Sequence, residues 1–226
     1  MPIAAESRWH RSCCGGSACT VSRPTVVEPN TLRGKVRKNA IVTAAAALMY
    51  ERGVRATSVD DVLVASHCGK GQFYHYFSSK DDLAAAVLEH QLTSVLDELR
   101  AFRLDTWTGI RAWFDALLRG QQRRKFRGCP VGSLAVELSA SGPDMQRRVA
   151  DAFARWESNL ADGLASMQTR RLLDRSARPT VLAETTLAAI QGGYLLSTAH
   201  HDIRPMRTAL AAAHAQLRAA KSPSEP

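Results

Sequence analysis

The residues with the most chemical capacity in this chain are crowded into one octapeptide, Lys70-Gly71-Gln72-Phe73-Tyr74-His75-Tyr76-Phe77. On a helix, Phe73 and Phe77 fall one turn apart and can pack inward, which leaves Lys70, Gln72, Tyr74, His75 and Tyr76 for outside partners. Lys and Gln carry donors and acceptors that match base edges in the DNA major groove, and tyrosine hydroxyls bond phosphates. A polar, solvent-facing helix held by an aromatic pair is the plainer alternative. Cys129, near Lys125 and Arg127, would sense oxidants or electrophiles if those cations lowered its thiol pKa; packing as a small hydrophobe is the competing reading. His10, Cys13, Cys14 and Cys19 have only loosely ligand-like spacing, so no metal is expected. There is no glycine-rich phosphate loop and no nucleophile beside a base, and His200-His201 read as a surface pair, so neither an enzyme nor a cofactor is expected.

The elements that must hold the octapeptide are helical. Residues 1–31 and 221–226 have no helical or strand period and read as disordered tails. Residues 35–52 put Ile41, Ala44, Ala45, Leu48 and Met49 on one face, and Gly53 stands where a C-terminal cap belongs. Thr57 and Ser58 before Asp60 and Asp61 start a second helix at 58–65. A break at 66–69 leads into a third at 70–76, and Ser78-Ser79 before Asp81-Asp82 opens a long fourth helix to Arg100. Further helices are expected at about 109–125, 131–139, from 144 through Leu164, at 180–200 and at 205–220. Three short helices with a tight break before the third form a helix-turn-helix.

The runs Ile41-Val42-Thr43-Ala44-Ala45, Glu51-Arg52-Gly53, Ala56-Thr57-Ser58-Val59 and Lys70 through Leu83 together resemble the signature of the TetR/AcrR family of transcriptional regulators. The resemblance spans about residues 35–85. It implies an all-α protein: a three-helix helix-turn-helix DNA-binding domain at 32–80, then a larger helical ligand-binding and dimerisation domain at 81–220. It implies that Lys70, Gly71 and Gln72 lie at the base-reading end and that Thr57, Tyr74, Tyr76 and Lys80 hold phosphates; His75, on the outer side of the same helix, is a further DNA-contact candidate. Lys80 also stands at a helix start whose free N–H groups favour an anion. This chain has Ser66-His67-Cys68-Gly69 in the turn. His67 therefore has to adopt a left-handed conformation, and Gly69 has to serve as the weaker N-cap.

Beyond residue 85 the likeness is one of architecture, with Gly128 through Leu138 resembling a C-terminal domain found among such repressors. It implies an apolar cavity open to a small-molecule effector, with Trp113, Phe114, Leu117, Leu134, Leu138, Phe153, Trp156 and Tyr194 as candidate lining. Simple core packing is the alternative for each. Glu137, among apolar neighbours, would orient a polar ligand or else be a surface or capped carboxylate. Thr185, Ala189, Gly193 and Ser197 form a row of small residues at four-residue steps, matched by Ala209, Ala212 and Ala213 in the last helix. The family joins two subunits through these helices, so the row is a candidate homodimer interface, with packing inside one subunit as the alternative.

The bulk numbers agree with a nucleic-acid partner. The formal net charge is +9, and residues 1–80 hold 11 Lys+Arg against 5 Asp+Glu while residues 81–226 hold 19 against 16. The excess sits on the part that would meet a polyanion. The 45% apolar fraction suffices for a buried core. No apolar run approaches the roughly 20 residues of a membrane span. The expected protein is a cytoplasmic, ligand-responsive regulator, most simply a repressor released from a palindromic double-stranded DNA operator, with no membrane partner. The alternatives are a thiol-based sensor and a protein-interaction module whose helix-turn-helix no longer binds DNA.

Overall fold

The computed structural model describes residues 28–222. Most of both tails and the His10/Cys13/Cys14/Cys19 group lie outside the described residues. Within them the chain forms α1 (Leu32–Arg52), α2 (Val59–Ser66), α3 (Lys70–Tyr76), α4 (Lys80–Arg100), α5 (Trp107–Arg123), α6 (Pro130–Ser139), α7 (Pro143–Thr169), α8 (Pro179–His200) and α9 (Arg204–Ala219). The only extended pairing among the described residues is an isolated antiparallel bridge between Leu173 and Lys221.

Local chemistry sets most helix starts. The hydroxyls of Thr31, Ser58, Ser79 and Thr106 accept the backbone N–H of Gly34, Asp61, Asp82 and Gly109, capping α1, α2, α4 and α5. Each such cap stabilises its helix by about 1 kcal/mol. At α2 the cap is reciprocal, because Asp61 accepts from the Ser58 backbone and hydroxyl, and those bonds hold its carboxyl below the usual range. Helices α6 to α9 instead carry proline in their first turn, where a missing N–H costs nothing.

One continuous core runs through the molecule. Ile41, Val42, Ala45, Ala46 and Met49 of α1 face the buried side of α4, whose Leu83, Val87, Leu88, Leu92, Leu96 and Leu99 extend it toward α7. The long helix α4 therefore belongs to both halves: its first turn adjoins the helix-turn-helix and its last turns lie in the C-terminal core.

Candidate nucleic-acid interface and sensing core

The turn between α2 and α3 has the geometry its residues require. His67 sits at φ 52° and ψ 36°, in the left-handed region. The N–H groups of His67 and Cys68 close the turn on the carbonyls of Val64 and Leu63, at 3.3 and 3.2 Å, and the Cys68 side chain is buried. A non-glycine residue in this region costs about 1 kcal/mol or more. His67→Gly is thus expected to raise stability by about 0.5–1 kcal/mol, part of the relief being offset by glycine's freer unfolded chain. Denaturant unfolding checks this; an unchanged or lower midpoint would mean that His67 makes compensating contacts.

Helix α3 is divided between anchoring and presentation. Phe73 and Phe77 are fully buried, their ring centroids 5.6 Å apart. Lys70, Gly71, Gln72, Tyr74 and His75 are exposed. The Gln72 side-chain oxygen accepts the Gly69 N–H at 3.3 Å and so supplies the cap that glycine lacks. A Cβ added at Gly71 would meet nothing within 4 Å, so nothing within the chain itself demands glycine there. Lys80 opens α4 and reaches the Arg55 carbonyl at 3.3 Å, bringing its ammonium to the α1–α2 turn. Residues 32–80 contain eight basic side chains against three acidic ones.

Two of the expected phosphate contacts are placed otherwise. Thr57 is buried, and its hydroxyl donates to the Gly53 carbonyl at 2.9 Å. That carbonyl ends α1 and needs a donor, so the hydroxyl closes the turn. The Tyr76 ring is also buried, edge-on to Phe77 and His75, and serves as a third anchor of α3.

In the C-terminal half, Trp113, Phe114, Leu134, Leu138, Trp156 and Tyr194 are buried, while Leu117 and Phe153 are half-buried against the same core. The Trp156 indole N–H is buried without a hydrogen-bond partner among the described residues. Neither main hollow of the described chain is lined by any of these eight. The larger, about 1870 Å³, is an open groove between α1, α4 and α7; ligand pockets usually enclose about 300–1,000 Å³. The smaller lies by Leu99 and Gly163.

Three further features carried two readings each. Cys129 is buried at the start of α6, and burial pushes its thiol up, against the lowered pKa a sensor would need. Lys125 and Arg127 are exposed, and Arg127 is paired with Glu51 at 3.4 Å. Glu137 is a capping carboxylate. Its two oxygens accept the N–H groups of Val54 and Arg55, at 3.1 and 2.9 Å, in the turn after α1. Gly53 makes room for this carboxylate, since a Cβ there would lie 2.8 Å from Oε1 and its φ is +91°. The row Gly193–Ser197 faces the chain's own last helix: a Cβ on Gly193 would come within 3.1–3.3 Å of Met206 and Ala209, and Ser197 and Ala213 are buried. Thr185, Ala189 and Ala209 are half-buried. Small residues admit whichever backbone is nearest, and here that is α9, returned by a three-residue loop.

Sequence reasoning missed Tyr50, whose hydroxyl donates to the Gly128 carbonyl at 2.8 Å, and Gln121, fully buried and bonded to the Gly128 N–H and Thr198. Both ties span the gap between α1 or α5 and later elements, and no local pattern marks them.

A recognition helix presented by a three-helix head, on a larger helical body, defines a helix-turn-helix transcriptional regulator. Residues 41–87 match the family model of bacterial regulatory proteins of the tetR family, and residues 107–212 that of the LmrA/YxaF-like transcriptional regulator C-terminal domain. An uncharacterised HTH-type transcriptional regulator of Mycobacterium tuberculosis is 30% identical over 198 residues, covering 80% of this chain and 92% of that protein. Another, from the lacX 3' region of Lactococcus lactis, is 29% identical over 176 residues, covering 76% of this chain and 88% of its own length. A regulatory protein TetR from Rhodobacter sphaeroides superposes with a TM-score of 0.71 at 25% identity, covering 80% of this chain and 98% of that one. The chain belongs to the TetR family of transcriptional regulators. These are typically ligand-responsive repressors rather than enzymes; they bind DNA operators and small-molecule effectors and form dimers. No helix of the described residues is long and apolar enough to cross a membrane.

Proposed function

We propose that this protein is a cytoplasmic repressor that binds a palindromic operator as a homodimer, reads bases with Lys70 and Gln72, and is released by a small molecule. The division of α3 into a buried aromatic side and an exposed Lys70/Gln72/Tyr74/His75 side carries the reading. A helix held this firmly, with long polar side chains pointing outward, is suited to enter a major groove without losing its own packing. Tyr74 and Lys80 are the phosphate contacts in this reading, and Gly71 lets the α3 backbone approach the DNA. The dimer face is the outer side of α8 and α9, turned away from the Gly193–Ser197 row.

Footprinting and titration on DNA upstream of the protein's own gene test the proposal. Specific binding should weaken steeply with salt, as phosphate neutralisation requires. Gln72→Ala should cost about 1–3 kcal/mol of discrimination at one position per half-site. Because Gln72 also caps α3, a uniform loss of affinity with intact sequence preference would assign it to capping alone.

A further inference from the structure

Arg124 is a cation with no paired carboxylate among the described residues. It ends α5 and is half-buried. Its Nη2 donates to the Tyr194 hydroxyl at 3.0 Å, and its guanidinium lies 5.8 Å from the centre of that ring. Its Nε is buried with no hydrogen-bond partner, and no carboxylate among the described residues pairs with it. Removing a guanidinium from water without an opposite charge is costly, and structures normally repay it with a carboxylate or phosphate.

The surroundings offer donors. Tyr50 and Tyr194 both stay protonated, because burial raises their hydroxyls. The Gln191 amide points at Cys129 Sγ from 3.6 Å, and the first backbone amides of α6 face the same sulfur. Of the other charged residues in the loop, Lys125 is exposed and Arg127 is engaged with Glu51. A planar guanidinium with a free Nε edge matches a carboxylate, which it can grip with two parallel hydrogen bonds.

We infer that Arg124, with Tyr194 and Gln191, anchors the effector by its carboxylate, so that the inducing molecules are small organic acids. This rests on the ligand-responsive reading above. The position also explains how capture reaches the DNA head. Tyr50 lies in the last turn of α1 and ties it to Gly128, beside Arg124. Drawing the guanidinium toward an incoming acid alters the support under the end of α1, from which the helix-turn-helix departs. Linkage requires that a ligand loosening DNA in this way bind the DNA-free protein more tightly by the same factor.

Calorimetric titration of the DNA-free dimer with sodium butyrate and sodium benzoate, against butyramide and benzamide at matched ionic strength, tests the inference. At least one acid should bind while its amide does not. Arg124→Gln should weaken that acid by roughly ten- to a hundredfold, the value of a charged hydrogen bond. Arg124→Lys and Tyr194→Phe, which disturb the core less, should each weaken it several-fold. Equal binding of acid and amide, binding untouched by all three substitutions, or no binding of either acid would overturn the proposal. Operator binding without added acid is measured alongside, so loss of the repressor reading is seen separately.

Discussion

Replacing Leu195 and Leu196 together by glutamate is expected to give a folded monomer that has lost most of its hold on a two-half-site operator. Leu195 is 70% exposed and Leu196 51% exposed in the single chain, two adjacent large apolar residues left to solvent on α8. They share the outer surface of α8 with Ala188 and Gly192, while α9 adds Ala211, Ala212, Ala215 and Ala219, all exposed. An apolar surface this continuous, on two antiparallel helices, fits a self-complementary four-helix contact. Neither leucine packs in its own core, so circular dichroism should stay unchanged while sedimentation reports half the mass. Joining two recognition helices raises operator affinity through effective concentration, commonly by about 10²–10⁴-fold. The charged pair should forfeit that factor, seen as a gel-shift curve displaced to higher protein concentration. A variant that remains dimeric would place the interface elsewhere.

The contrast between this face and the Gly193 row shows where sequence reading stops. A four-residue repeat of small residues tells that a backbone comes close, and it does; the identity of that backbone depends on how α9 folds back, which periodicity does not encode. The helix-turn-helix was more legible because its determinants are local. Ser58 and Asp61 are three residues apart, Phe73 and Phe77 four, and the left-handed position of His67 follows from the length of one turn. The aromatic residues of the C-terminal half are buried or half-buried, but burial alone does not distinguish packing from a cavity wall. Glu137, Tyr50 and Arg124 were beyond reach for another reason. Their partners lie 70 to 83 residues away, and a carboxylate amid Ala, Val and Leu has the same local sequence whether it meets solvent, ligand or a distant turn.

Glu137→Ala is expected to lower stability by about 2 kcal/mol and to uncouple the head from the body. The carboxylate accepts two backbone N–H groups, and Val54, which carries one of them, is buried. A hydrogen bond to a charged group contributes about 1.5–3 kcal/mol. The Arg55 side of the pair is exposed to water and recovers part of its loss, so the sum stays near the lower value. For a chain of this size, such a loss lowers the melting temperature by about 4–8 °C. Native-state hydrogen exchange reads the same event locally: the Val54 and Arg55 amides should lose protection well beyond the global change. Glu137→Gln should recover little, because one of its two ends presents an N–H to an N–H. The mechanical consequence follows from the position of Glu137 on α6, directly after the Cys129 loop. While the carboxylate holds the turn between α1 and α2, displacement of α6 moves the helix-turn-helix as a rigid piece, since a close-packed interior cannot absorb it. Without that grip the head is held mainly through α1 and α4, and a shift of α6 no longer reaches α3. Operator affinity should then respond less to any effector seated beside α6. Unaltered protection at Val54 and Arg55 in Glu137→Ala would show that the turn is held by its own bonds and that coupling runs through α4 and the Tyr50–Gly128 tie.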